Sequence, residues 1–91
     1  MQNASSSIIY MITSSQIRAA RALLKWSAET LSHKSDVGIA TIKRYEVSEG
    51  VPNANVRTLT IIKKTLEEAG IEFIGEPDKD PGVQLITKRD S

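Results

Sequence analysis

The chain has 91 residues, of which 40% are hydrophobic, and it contains one histidine and no cysteine. This length suits one small domain, and the composition excludes disulfides, thiolate metal sites and clusters of histidine ligands. No apolar run reaches the roughly 18 residues that a membrane span needs, so we expect no membrane contact. The absence of cysteine suits a reducing, cytoplasmic location.

The net charge of +1 conceals a difference between two parts of the chain. Residues 1–70 carry nine Lys or Arg against six Asp or Glu, which gives +3. Residues 71–91 carry three against five, which gives −2. A basic first part followed by an acidic tail favours contact between nucleic acid and the first part, although an excess of this size is modest.

The N-terminal segment shows no helical or strand period and is rich in serine. We therefore predict a flexible arm over residues 1–12. The sequence leaves open whether the natural start is Met1 or Met11. The short apolar run Ile8–Ile12 follows no positive charge, so we do not expect a secretory signal.

An amphipathic first helix is predicted over residues 14–25. Thr13 and Gln16 have the spacing of a capping box, in which each side chain satisfies a backbone N–H group of the other residue. The segment that follows is rich in Ala, Leu and Arg, which favour helix. Its apolar positions recur at helical spacing: Ile17, Ala20 and Leu24.

Two short helices separated by a tight turn are predicted next. Ser27 is placed to cap a second helix over residues 28–34. Asp36 lies in the turn. The turn needs a residue with a positive φ, and Asp tolerates this conformation better than most residues. A third helix follows over residues 39–46. The inward side chains of this segment are Leu31, Val37, Ile42 and Tyr45.

A fourth helix and a β tail complete the predicted elements. After a loop over 47–55, Asn53 or Asn55 can cap the helix, and Gly70 can end it in a left-handed conformation. The helix has an apolar stripe at helical spacing: Val56, Leu59, Ile62, Leu66 and Ala69. Ile71–Ile74 and Val83–Thr87 alternate as strands do, and a polar turn separates them.

The arrangement of residues 27–46 is typical of a helix-turn-helix, in which two short helices cross steeply through a tight turn. Leu31 supplies an apolar anchor and Ser32 a small residue that faces the third helix. Large aromatic residues of a small domain are mostly buried, so we expect Trp26 to pack the first helix against the second and Tyr45 to lie in the core.

Two blocks together resemble the Cro/C1-type (XRE-like) helix-turn-helix family. The first is Gln16-Ile-Arg-Ala-Ala-Arg-Ala-Leu-Leu-Lys-Trp-Ser27, and the second is Val37-Gly-Ile-Ala-Thr-Ile-Lys-Arg-Tyr-Glu46, with Leu31 between them. The continuation from Pro52 to Leu85 resembles a small subgroup of these regulators that ends in a short β tail. The resemblance covers residues 13–86.

This resemblance implies a mainly α, lambda-repressor-like domain of about four helices over residues 13–70, followed by a two-stranded β tail over residues 71–91. It also implies a sequence-specific DNA-binding transcriptional regulator, a repressor, whose third helix enters the major groove. The candidate DNA contacts carried over by position are Ser27, Lys34, Gly38, Ile39, Ala40, Thr41, Lys43 and Arg44.

Among these candidates, Arg44 suits a guanine base and Thr41 a base edge or a phosphate, while Ile39 suits a thymine methyl group. Lys43 and Lys34 suit phosphate, as does Ser27 at the start of the second helix. Glu67 and Glu68 are expected to be solvated, as are His33 and Arg18. For Arg21 the sequence leaves open a solvated position, a pair with Glu46 or, less favoured, a phosphate contact.

Three positions depart from the family pattern. Ala28 replaces a glutamine that commonly clamps a phosphate, Asp36 replaces the glycine of the turn, and Gly38 replaces a hydroxyl cap on the third helix. These departures weaken the expected DNA contacts. They favour an alternative function, a protein-interaction module such as an antitoxin or a phage-type partner protein with secondary DNA binding.

The expected partners are double-stranded DNA and a second copy of the chain, because one recognition helix gives too little specificity. The β tail is the expected dimer element, since its apolar strands lack partners within one chain. We expect no cofactor and no metal. We also expect no enzymatic activity, because the sequence shows no nucleophile–base arrangement and no Gly-rich phosphate loop.

Overall fold

The structure is a computed structural model that describes residues 11–52 and 54–86. In these residues the elements, in chain order, are α1 (Ser14–Leu24), α2 (Ala28–Ser35), α3 (Ile39–Val47), α4 (Val56–Glu68), β1 (Ile71–Ile74) and β2 (Gly82–Leu85). The prediction of a mainly helical chain with a C-terminal two-stranded sheet is confirmed. Residues 1–10 of the arm predicted over residues 1–12, and Thr87 in the second strand, lie outside the described residues.

Local capping explains where the helices begin and end. The capping box of α1 is present: Thr13 Oγ1 accepts from Gln16 N at 3.0 Å, and Gln16 Oε1 accepts from Thr13 N at 2.9 Å. Ser27 caps α2 and Asn55 caps α4, whereas the alternative cap Asn53 lies outside the described residues. α2 ends at Asp36, whose φ of 63° is the positive value that the turn requires.

All four helices and β1 contribute to one hydrophobic core. Of the inward side chains predicted for the first three helices, Leu24 is half-buried and the others are buried, and each buried aliphatic side chain contributes about 1.5–3 kcal/mol. The buried apolar residues are Ile12, Ile17, Ala20, Leu31, Ile42, Tyr45, Leu59, Ile62, Leu66 and Ile71. Val37 and Trp26 are half-buried and pack against this core.

Two sequence assignments are wrong. Ile12 was assigned to the arm, but its side chain is only 1% exposed. It immediately precedes the N-cap of α1, and a hydrophobic residue there packs against the fourth helical position, here Ile17. Val56 was assigned to the inward stripe, but it is 57% exposed because the first turn of α4 extends beyond the core.

The two strands form an antiparallel hairpin that lies on the helices. β2 contacts α1 and β1 contacts α4. The strand register pairs Ile71 with Leu85 and Phe73 with Val83, so these four side chains share the face that packs against the helices. β2 begins at Gly82, one residue earlier than predicted. Gly70, with a φ of 109°, makes the turn from α4 into β1.

Candidate nucleic-acid interface

α3 has a buried face and an exposed face. Ile42, Tyr45 and Glu46 are buried against the other helices. Ala40, Lys43 and Arg44 are exposed on the opposite face. Ile39 and Thr41 were assigned to the exposed face, but they are half-buried, since they lie at its margins. The predicted residues of α3 and its N-cap Gly38 are therefore all exposed or half-buried, and two of them, Lys43 and Arg44, are cations.

Side chains of α1 hold the C-terminal end of α3. The last carbonyl groups of a helix have no partner within the helix. Here Ser14 Oγ donates to the carbonyl oxygen of Tyr45, and Arg18 Nη1 donates to the carbonyl oxygen of Glu46. Ser14, Arg18 and Arg21 recur at intervals of four and three residues along α1, so all three side chains face α3.

The ion pair between Arg21 and Glu46 completes this contact. Arg21 Nε and Nη2 donate to the two carboxylate oxygens of Glu46 at 2.7 and 2.8 Å, and Nη1 donates to the carbonyl oxygen of Trp26 at 2.9 Å. The Arg21 and Glu46 side chains are 21% and 8% exposed. This geometry confirms the alternative in which Arg21 pairs with Glu46.

The hydrogen bonds that the Arg21 guanidinium donates to Glu46 raise its pKa above the ordinary value. Burial opposes this effect, and the negative charges of Glu46 and Glu29 add to it. A raised pKa means that the contribution of this charge to stability is lost only as the pH rises through that pKa, in the strongly alkaline range. The pair therefore keeps α1 and α3 joined throughout the neutral range.

The N-terminal end of α3 is held by the turn and not by a cap. Ser32 Oγ donates to the carbonyl oxygen of Val37 at 2.6 Å, and the Val37 N–H group donates to Ser35 Oγ at 3.2 Å. Gly38 occupies the N-cap position without a side chain to accept a hydrogen bond. The turn therefore fixes the direction in which α3 leaves α2, while its first N–H groups stay available to another acceptor.

The two cations of α3 are free of carboxylate partners in the described part of the chain. The ion pairs there are Arg21–Glu46, Lys63–Glu67 and Lys79–Glu76. The guanidinium carbon of Arg44 lies 5.6 Å from the centre of the Tyr45 ring, which is a cation–π contact within α3. Lys43 and Arg44 are thus exposed positive charges on one helix face.

Ser27 and Lys34, the two candidate phosphate contacts outside α3, have local contacts of their own. The hydroxyl of Ser27 accepts from Thr30 N at 3.0 Å, and Glu29 brings a negative charge into the first turn of α2. Lys34 Nζ lies 5.5 Å from the centre of the Trp26 ring, beside Glu68 of α4. Both residues are exposed, but neither is directed toward the basic pair of α3 by these contacts.

The roles of Ser14 and Arg18 were not predicted. Arg18 was expected to be solvated, yet it bonds to the end of α3. Their spacing on α1 was visible, but the partners are backbone carbonyl groups some 30 positions away, 31 for Ser14 and 28 for Arg18. Every residue has a backbone carbonyl group, so the sequence does not show which one accepts a hydrogen bond. Only the packing of α1 on α3 reveals these contacts.

Apart from α3, the described residues form no second candidate site that is as well defined. No group of three His, Cys, Asp or Glu side chains lies close enough there to hold a metal ion. Within the same ranges, no helix combines the length and the apolar character required to cross a membrane.

Comparisons with protein-family models, with curated proteins and with solved structures found no match to this chain.

Proposed function

We propose that the chain is a sequence-specific DNA-binding transcriptional regulator, a repressor, that places α3 in the major groove. The observation that carries the proposal is the division of α3 into two faces. One face is fixed against α1 and the core, while the other presents Lys43 and Arg44 to solvent without carboxylate partners among the described residues. A helix of this kind fits the width of the major groove.

Each exposed residue of α3 has a chemical role in this proposal. Arg44 donates in a bidentate manner to the O6 and N7 atoms of a guanine, and Lys43 contacts a phosphate. Ala40 is small enough to let the helix approach the bases closely. Half-buried Thr41 and Ile39 remain able to contact a base edge and a thymine methyl group at the margin of the surface.

The attachment of α3 supports the proposal on energetic grounds. Binding costs less when the recognition element is already held in its bound orientation. Ser14, Arg18 and Arg21 bond to the C-terminal end of α3, and its N-terminal end follows the hydrogen-bonded turn. The helix is therefore presented in one orientation before DNA arrives.

The experiment begins with selection of binding sites from randomised DNA duplexes, followed by affinity measurement at several salt concentrations. The proposal expects an enriched sequence and a logarithm of the binding constant that falls linearly with the logarithm of salt concentration. Binding that is indifferent to both salt and sequence would contradict it.

Two substitutions separate base recognition from phosphate contact. Arg44→Ala is expected to cost about 1–3 kcal/mol and to relax the preference at one base pair. Lys43→Ala is expected to weaken binding to all sequences and to reduce the salt slope by about one. Lys79→Ala is the matched control, because it removes one exposed positive charge from the turn of the hairpin and should leave both measurements unchanged.

The alternative is a protein-interaction module, such as an antitoxin or a phage-type partner protein, and one group of observations favours it. Ala28 offers no side-chain donor at the start of α2, and Glu29 and Asp36 place two exposed carboxylates on that helix and its turn. A stoichiometric complex with one protein that retains no DNA, together with no enriched sequence in the selection, would favour this alternative.

A further inference from the structure

The last turn of α4 has an electrostatic arrangement that the helix itself does not favour. The C-terminal end of a helix carries a partial negative charge, so cations stabilise it and carboxylates do not. α4 has no basic residue in its last turn, and it ends with the two exposed carboxylates of Glu67 and Glu68. A local arrangement that costs stability points to a contact outside the helix.

One of these two carboxylates is neutralised within the described part of the chain, and the other is not. Glu67 accepts from Lys63 Nζ at 2.5 Å. Glu68 belongs to no ion pair there, although Lys64 lies one turn before it and Lys34 lines a small groove together with it. Glu68 therefore keeps an exposed negative charge at the negative end of α4.

An open groove of about 700 Å³ lies beside this turn. α1 also ends there, and Leu23 and Leu24 contribute to the lining, so the C-terminal ends of two helices meet at the groove. The remaining aliphatic side chains of the lining are Ile71, Leu85 and Ile86. Leu23, Leu85 and Ile86 are 41%, 38% and 46% exposed, so the groove presents apolar surface to solvent.

The groove combines this apolar surface with charge of one sign. Among the described residues that line it, the charged ones are Glu67 and Glu68. The ends of α1 and α4 add a partial negative charge of about half an elementary charge each. A surface complementary to this groove therefore carries apolar side chains together with at least one cation.

The shape and the charge of the groove decide between its possible occupants. A small-molecule site is a concave cavity that buries most of its ligand, whereas this groove is open along its three exposed aliphatic side chains. A second copy that placed its own groove against this one would bring four carboxylates together, because a two-fold interface uses the same patch twice. Like charges in contact oppose such an association. A basic segment of a different protein satisfies both conditions.

The groove lies on the side of α1 that faces away from α3. Arg21 bonds to Glu46 of α3, and Leu23 follows Arg21 by two residues, which places it about 200° around the helix. A molecule in the groove therefore leaves the exposed face of α3 uncovered.

We propose that this groove docks a basic, apolar segment of a partner protein. A Lys or Arg side chain of the segment pairs with Glu68, and its apolar side chains cover Leu23, Leu85 and Ile86. The apolar contacts supply binding energy, and the cation supplies the charge that the last turn of α4 lacks. The proposal does not depend on DNA binding, because the groove and α3 lie on opposite sides of α1.

The test starts with a library of short random peptides displayed on phage and selected on the immobilised full chain. We expect enrichment of peptides that combine apolar residues with Lys or Arg. One enriched peptide, synthesised without tryptophan, is then the probe in solution. Trp26 is the only tryptophan of the chain and lines the small groove next to Glu68, so its fluorescence reports binding at this place.

Glu68→Lys tests the charged part of the contact. The variant reverses the charge that the probe meets, so the dissociation constant should rise at least about tenfold. It also places a cation at the negative end of α4, so the midpoint of thermal unfolding should not fall, and weaker binding then does not result from unfolding. Glu76→Lys is the matched control, because it makes the same charge change in the turn at the other end of the hairpin. It should leave the dissociation constant unchanged.

Leu23→Gln tests the apolar part of the contact. Leu23 is 41% exposed, so the variant should fold as the unchanged chain does. Because it removes apolar surface that the probe covers, the dissociation constant should rise about fivefold or more. An unchanged dissociation constant in this variant would mean that the probe binds elsewhere, and the proposal would then be wrong.

Three further results would overturn the proposal. The first is enrichment of peptides without basic residues, and the second is a probe that binds Glu68→Lys as tightly as the unchanged chain. The third is a selection that enriches no peptide, combined with a dimer in light scattering that Leu23→Gln dissociates, because a second copy then occupies the groove.

DNA selection separates this proposal from the regulator. A chain that binds the probe through Glu68 but selects no DNA sequence supports the groove and refutes the regulator. A chain that selects a DNA sequence but enriches no peptide supports the regulator and refutes the groove. If both hold, saturating probe should leave the DNA affinity unchanged, and competition between the two would refute the separation of groove and α3.

Discussion

α3 and the β hairpin are both attached to α1, but by different chemistry. α3 is held by the Arg21–Glu46 ion pair and by two further donors to its terminal carbonyl groups. The hairpin is held by apolar packing and by Gln16, whose Nε2 donates to the carbonyl oxygens of Gly82 at 2.8 Å and Ile74 at 3.4 Å. One attachment is ionic, and the other depends on a neutral amide.

This difference predicts that the two regions open independently and at different cost. Hydrogen bonds between charged groups are about twice as strong as neutral ones, and a buried charge left without its partner is costly. The hairpin, with an exposed outer face and one amide link, is the region that should open first. α3, the proposed recognition helix, should open only with the whole domain.

The largest expected effect comes from breaking the ionic attachment. Arg21→Met leaves Glu46, a side chain that is 8% exposed, without its cation. We expect the free energy of unfolding to fall by about 3 kcal/mol, as measured by urea denaturation. Replacing both partners, as Arg21→Met with Glu46→Leu, should recover most of this loss, because no buried charge remains.

If Arg21→Met falls within about 0.5 kcal/mol of the unchanged chain, the range of an ordinary surface substitution, the ion pair does not hold α3. The attachment of α3 to α1 would then not be stronger than the attachment of the hairpin to α1. The double variant has a further use, since its DNA affinity reports whether the bidentate geometry orients α3 or apolar packing is sufficient.

The second expected effect concerns the hairpin alone. Gln16→Glu keeps the acceptor that completes the capping box with Thr13, but it replaces the amide donor with an oxygen that faces two carbonyl groups. Because residue 16 is 5% exposed, we expect a loss of about 1–3 kcal/mol. Hydrogen exchange should show faster opening of β1 and β2, with α3 unchanged.

Acid conditions provide the control for Gln16→Glu. A protonated carboxyl group regains an O–H donor, and a carboxyl that faces two carbonyl oxygens binds its proton more tightly when folded than when unfolded. The loss relative to the unchanged chain should therefore be large above that pKa and should shrink as the pH falls through it. Equal losses at neutral and acid pH would refute the proposed role of the amide.

The elements of the fold could be predicted because their determinants are local. Thr13, Ser27 and Asp36 are a capping-box residue, a helix cap and a turn residue whose side chain or backbone acts within four positions of itself. Ile12 was also predictable in principle, since its apolar side chain immediately before a cap is typical of a hydrophobic staple. Helix periodicity gave the buried residues of the first three helices in the same way.

The contacts that hold α3 could be predicted only where both partners are side chains of complementary chemistry. Arg21 and Glu46 have opposite charges, so their pairing could be predicted as one alternative. Lys34 illustrates the limit, because its position over the Trp26 ring was not predicted, while its phosphate contact stays a prediction. Tertiary packing decides which neighbour a long side chain meets, and a single sequence does not contain that information.

A smaller effect tests the neutral part of the α3 attachment. Ser14→Ala removes the hydroxyl that donates to the Tyr45 carbonyl oxygen, in a side chain that is fully buried. We expect a loss of about 1 kcal/mol, because Ser48 Oγ remains 3.4 Å from the same oxygen. Ser15→Ala is the control on the same turn, since Ser15 is exposed and its hydroxyl meets only the Thr13 hydroxyl at 3.1 Å, so the loss should be smaller. Equal effects would mean that the hydroxyl does not anchor α3.

The smallest effect concerns the end of α3 that α1 does not hold. Gly38 has the extended backbone of an N-cap, with φ −58° and ψ 145°, and a Cβ atom there would meet nothing within 4 Å. Gly38→Ser should therefore raise the free energy of unfolding by about 0.5–1 kcal/mol, since its hydroxyl can accept from the first turn. Gly38→Ala reduces the conformational freedom of the unfolded chain, but alanine is a poor helix cap. The two effects oppose each other, so the free energy of unfolding should change little. If serine and alanine behave alike in thermal unfolding, the first turn of α3 already has its acceptors, and both ends of the helix are held.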